Sequence, residues 1–220
     1  MVFHVSPQMQ QRVDMEGSIK HRGLKETGRK KDIRKFMKCQ ICLIGSAVAV
    51  TLVNYMSLYI TSIGYDLVFA AEMMSCLMLG NILGKLLFGL AVDLIGTWKT
   101  TACDLLLVAV GLCLLLYANS SKVILCIAAL LFGNSYAGAT LATTKCSVAM
   151  YGQEESVHWV GLHTSIDSIV AALFSMSIRL IFDASGSYGI SFLIAITCVV
   201  IGCVVATANC INANIQSKID

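Results

Sequence analysis

Residues 39–60 read CQICLIGSAVAVTLVNYMSLYI, twenty-two positions without a single Asp, Glu, Lys or Arg. A hydrocarbon core about 30 Å thick takes roughly 20 helical residues to cross, so this stretch is long enough for one membrane span. Working outward from it, the segment TSIGYD (61–66) carries no cation, and a second apolar run follows over 67–92. The polar turn DLIGTWKT (93–100) separates that run from a third over 101–118, and residues 119–122 make a short turn before a fourth over 123–150. After YGQEES (151–156) comes a fifth run, 157–182, and after DASGSYG (183–189) a sixth, 190–211. The expected fold is an all-α membrane protein with six transmembrane helices.

The rest of the composition agrees. Hydrophobic residues make up 57% of the 220 and charged residues 13%, against about 25% charged in a soluble domain. A single water-soluble core cannot absorb so much apolar surface, and the body is excluded as a nucleic-acid-binding domain. Charge is also unevenly placed: residues 1–38 hold 10 of the 16 Lys and Arg but only 4 of the 13 Asp and Glu. The chain therefore divides into a basic cytoplasmic arm (1–38), a six-helix transmembrane domain (39–211) and a cytoplasmic tail (212–220). Basic residues stay on the cytoplasmic side. The arm, Lys99 and Lys218 inside against Lys122 outside put both termini in the cytoplasm of a multi-pass plasma-membrane protein. The arm has no apolar stretch of signal-peptide type. Its segment KETGRKKDIRKFMK (25–38) reads as an anchor beside the first span or, alternatively, as a binder of anionic lipid.

Ten cysteines lie almost entirely within the apolar runs and read as small apolar fillers. Cys39 and Cys42 form a C-x-x-C, but no second pair or His cluster stands at ligand spacing, so neither metal nor cofactor is expected. The only proline is Pro7, outside every span. Helix bending is therefore expected at glycine, at Gly80, Gly84, Gly89, Gly133 or Gly138. Gly80 and Gly84 form a G-x-x-x-G, which allows helix backbones to approach closely; plain packing and a moving hinge both fit.

The most specific local pattern is GKLLFGLAVDLIGTWKT (84–100). Through Gly89, Asp93, Gly96 and Lys99 it resembles the loop G-x-x-x-D-R-x-G-R-K of the major facilitator superfamily. Leu94 and Thr97 replace two of that loop's basic residues. A second resemblance lies in IFDASGSYGISF (181–192), where Asp183, Gly186, Ser187 and Tyr188 match a D-x-x-G-S-Y turn between the last two helices of that family. Together the two cover most of residues 39–211 and imply the carboxyl-terminal half of such a transporter, built from two inverted three-helix repeats. The resemblance gives Gly89 and Asp93 a role in stabilising the outward-facing state; a helix-end carboxylate is the plain alternative for Asp93. It also implies an incomplete passage. A missing amino-terminal six-helix half, or a second copy, would then be a partner, beside the lipid bilayer and a small-molecule substrate.

Polar groups at membrane depth usually face protein or a watery cavity, because a central charge costs roughly 2.5–3.5 kcal/mol on insertion scales. Asn81 and Asn134 fall near the middles of the second and fourth spans, and Asp167 just inside the middle of the fifth. His163 precedes Asp167 by four residues, so both project from one helix face. This pair either carries a proton or orients a substrate, or else forms a helix-surface hydrogen bond that satisfies two buried groups. Asn54, Tyr55 and Glu72 are candidates for an outer vestibule, and residues 54–60 resemble the segment where the family's seventh helix bends. Arg179 and Lys85 snorkel to the interface or supply a cation for an anion. Similarity to monocarboxylate and oxalate/formate facilitators points to a small organic anion.

Two other functions compete with secondary transport. Gly133-Asn134-Ser135 begins like the nucleophile turn of a rhomboid-type intramembrane serine protease, but the sixth span holds no His to serve as base. A non-transporting membrane subunit is the third reading. No Walker motif is present, which excludes ATP coupling within this chain, and no enzymatic activity is expected.

Overall fold

A computed structural model describes residues 33–117 and 121–216, with side chains to residue 211. The basic arm up to residue 32, the turn at 118–120 and the tail from 217, Lys218 included, lie outside the described residues. The chain's contacts divide it into residues 1–37 and 38–220; of the first unit only 33–37 are described, and they are helical.

The described residues form seven helices and no strand: α1 (Ile33–Val53), α2 (Met56–Ser62), α3 (Leu67–Ile95), α4 (Thr97–Tyr117), α5 (Lys122–Tyr151), α6 (Gln153–Ser185) and α7 (Gly189–Gln216). Six of them, all but α2, are long and apolar enough to cross a membrane. On the outer surface of α3, Leu79, Ile82, Leu86, Leu87, Leu90 and Leu94 are exposed. Water does not tolerate such a continuous apolar face, whereas lipid does, and the molecule has the character of a multi-pass membrane protein.

The first apolar run is not one helix. The Asn54 and Tyr55 amides donate to the carbonyls of Thr51 and Leu52, at 3.3 and 3.0 Å, three residues back rather than the four of an α-helix. One turn earlier the Thr51 hydroxyl donates to the Ala47 carbonyl at 2.9 Å, a back-bond that tends to bend helices. This corrects the expectation that interruptions fall at glycine. Instead α3 runs unbroken through Gly80, Gly84 and Gly89, and α5 through Gly133 and Gly138.

Glycine serves close packing here. A Cβ built on Gly80 would land on the Leu130 carbonyl oxygen, 3.1 Å from the Leu130 Cα, and one on Gly133 would land on the Leu77 carbonyl oxygen, 3.1 Å from the Asn81 amide nitrogen. The two helices α3 and α5 thus touch backbone to backbone. Gly111 of α4 meets α5 less closely, 2.8 Å from a built Cβ to the Phe132 nitrogen, and Gly202 of α7 meets α1 at 2.9 Å from a built Cβ to the Cys42 carbonyl oxygen. Around these crossings α5 packs against α3, α4 and α6, and α4 against α7. One apolar core, including Leu52, Met56, Met73, Leu77, Leu105 and Phe132, fills the centre. A smaller one joins Cys39 and Leu43 to Phe88, Ala142 and Cys146.

Candidate functional site

Three polar places interrupt the apolar body. The first lies between α1 and α6. His163 is fully buried and Gln40 nearly so. The Gln40 amide nitrogen donates to Asp167 Oδ1 at 2.7 Å, and its Oε1 lies 2.5 Å from His163 Nδ1. An amide oxygen only accepts, so in this arrangement Nδ1 carries the hydrogen. Gln40 thus joins the pair expected from the sequence into a directed chain, His163 to Gln40 to Asp167. The four-residue spacing turns both α6 side chains toward α1. Gln40 itself escaped the sequence reading: the only signal was an amide one position into an otherwise uncharged run.

Next to this chain lies a cavity of about 320 Å³ walled by α1, α5 and α6. Thr140, Thr143 and Thr144 of α5 and Thr164, Asp167 and Ser168 of α6 line it. Each of the five hydroxyls donates to the carbonyl four residues back, at 2.7–3.3 Å. Their donors are occupied, so what they can still offer the cavity is acceptor lone pairs. Asp167 is the single ionisable group in the lining, and no cation lies there.

The second place surrounds the α1–α2 break. Tyr55 Oη lies 2.7 Å from Ser175 Oγ and donates to the Ser175 carbonyl at 3.0 Å. Together with Arg179 and Asp183 these two residues border a cavity of about 370 Å³. Asn54 is exposed at the turn. Tyr188 packs beneath, stacked on Phe182 with ring centroids 4.4 Å apart, and 6.4 and 6.5 Å from the rings of Tyr55 and Tyr59. The residues of the D-x-x-G-S-Y resemblance thus have a structural office. Gly186 ends α6 with φ +67, a left-handed conformation that glycine adopts without steric cost, and the turn brings Tyr188 under the broken span.

The third place lies where α3, α4 and α5 meet. Asn134 donates its amide to the buried carboxylate of Asp104, a residue absent from the sequence candidates because a carboxylate near a span end is unremarkable. The Asn81 Oδ1 is buried there without a hydrogen-bond partner among the described residues. Glu72 joins none of the three places and is exposed on α3. Asp93 in the last turn of α3 and Lys99 in the first turn of α4 are exposed, and Gly96 between them caps α3 with φ +86. A Cβ on Gly89 would meet nothing within 4 Å, so no close helix contact is made at that glycine. Ser135 Oγ is buried with no hydrogen-bond partner among the described residues. No protein-family model matches the chain, and no curated protein matches it.

Proposed function

We propose that the chain forms one six-helix flank of a secondary transporter of the major facilitator type, working by alternating access in the plasma membrane with both termini cytoplasmic. The observation that carries the reading is the cleft between α1, α5 and α6, walled by alanine, valine and threonine, with Asp167 in its lining and bonded to the Gln40–His163 chain. Polar groups in a membrane body are costly unless they face protein or an aqueous path. The helix contacts support the inverted-repeat reading as well. Exchanging the first three spans with the last three carries the α3–α5 contact onto α6–α1, and α4–α5 onto α7–α1; all four contacts occur. Because one flank bounds only half a passage, a second six-helix unit completes it.

The cleft also bears on the solute. Its lining offers acceptors and one carboxyl but no cation, so this flank suits a neutral or cationic solute rich in hydrogen-bond donors. For the organic anion implied by the resemblance, a cation stands at Arg179, in the cavity beside Tyr55 and Ser175. Thiol labelling tests the reading. Thr144→Cys and Thr164→Cys, in a background lacking the native cysteines, react with a membrane-impermeant thiol reagent, while Leu86→Cys on the lipid-facing side of α3 does not. Protection of both cleft positions from the aqueous reagent overturns it.

A further inference from the structure

Asp104 is a buried carboxyl with an unpartnered oxygen among the described residues. Its side chain is 4% exposed within α4. Oδ1 accepts the Asn134 amide, and Oδ2 has no hydrogen-bond partner among the described residues. The space for Oδ2 exists because α5 carries glycine opposite: a Cβ on Gly138 would fall on that oxygen. Alongside, between α3, α4 and α5, lies a cavity of about 190 Å³ whose lining includes Asp104, Asn134, Thr100 and Cys103 among leucines, and neither Lys, Arg nor His.

The neighbouring elements supply no counter-charge. From α5 come Asn134 and Gly138. Gly84 of α3 lies against Asn134. Cys42 of α1 is within electrostatic reach of the carboxyl, and Cys203 of α7 donates its thiol to the Ala102 carbonyl at 3.6 Å. An unpaired carboxylate removed from water costs several kcal/mol, so this one takes up a cation. A metal ion needs several oxygen ligands at once, and no metal-holding group of three or more His, Cys, Asp or Glu occurs among the described residues. The proton is the cation that a single oxygen can hold.

We propose that Asp104 is a proton-binding carboxyl at the α4–α5 contact, separate from the Gln40–His163–Asp167 chain, which takes up and releases H⁺ at Oδ2 through the adjoining cavity. Uptake transfers a proton from water to Oδ2 and gives a neutral carboxylic acid, while Oδ1 keeps the Asn134 amide. Release returns the proton to water and leaves a carboxylate, which draws water in between α4 and α5. Protonation and the closeness of these two helices are thereby linked. None of this depends on the chain being a transporter.

Infrared spectroscopy of the detergent-solubilised chain tests it without any transport assay. The wild type shows a C=O stretching band of a protonated carboxyl that is lost in Asp104→Asn, shifts in Asn134→Leu, and disappears reversibly as the pH is raised through the range in which the chain stays folded. Should Asp104→Asn fail to fold, displacement of the same band in Asp104→Glu makes the assignment. Absence of any band that tracks residue 104, or a band unchanged across that pH range, overturns the proposal.

Discussion

Replacing Gly80 with alanine adds one methyl group at the α3–α5 crossing, and the structure sets the size of the effect. The new Cβ would lie 2.9 Å from the Leu130 carbonyl carbon and 3.1 Å from its Cα, with ordinary contact starting at 3.4 Å. The obstacle is backbone, which cannot rotate away as a side chain does. Relief requires the helices to part by about 1 Å, and a gap of that size forfeits roughly a quarter to a half of the dispersion attraction across it. Overpacking of this kind costs about 1–3 kcal/mol. With a backbone obstacle the upper end applies, about 3 kcal/mol, or on the order of a hundredfold in the folding equilibrium. Gly89, on the same helix, provides the internal comparison, since a Cβ there meets nothing within 4 Å. Its replacement by alanine gains helix propensity of up to about 1 kcal/mol. Unfolding in mixed micelles by increasing detergent fraction, followed by circular dichroism, measures both variants. Gly80→Ala unfolds earlier than wild type, and Gly89→Ala at the same point or later. The packing account is wrong if Gly80→Ala matches Gly89→Ala.

The other expectations concern the polar chain and the broken span. Gln40→Leu strips partners from His163 and Asp167 and destabilises the fold by about 1–3 kcal/mol for each group left without Gln40, read in the same micelle assay; a loss below measurement error refutes the bridging role. In the transport-competent assembly, Asp167→Asn impairs uptake or flattens its pH dependence while membrane insertion stays normal, and uptake unchanged at every pH removes a proton role from Asp167. Tyr188→Ala removes the ring stacked on Phe182 and costs about 3 kcal/mol, within the range for deleting a buried aromatic. Limited proteolysis then cuts sooner near α2, and an unchanged cleavage rate there would show that α2 is held by other contacts.

Membrane span number and approximate bounds were legible in the sequence because both follow from one-dimensional quantities, the length of each uncharged run and the polar turns between runs. The five runs expected after residue 66 correspond to α3 through α7 with ends shifted by a few residues. Likewise the spacing of His163 and Asp167 sufficed to put them on one helix face. Which helix that face meets was not legible, since nothing local in Gln40 says that it lies opposite a residue more than a hundred positions away. The break at Asn54–Tyr55 falls in the segment that the resemblance marked as bending, whereas composition alone allows an unbroken helix there. The same division separates the glycines. Gly80 and Gly89 look alike as letters in one helix, yet one faces another backbone and the other open space.

The sequence by itself thus determined that the chain places six apolar helices in lipid, because hydrophobic length is additive along a chain and needs no partner. Only the tertiary structure decided which polar atoms meet. Placing Gln40 between His163 and Asp167, or Asp104 beneath Asn134 and over Gly138, depends on how helices cross, and crossings are fixed by side-chain volumes distant in the chain. A buried hydrogen bond or an orphaned oxygen exists only once those volumes have been packed.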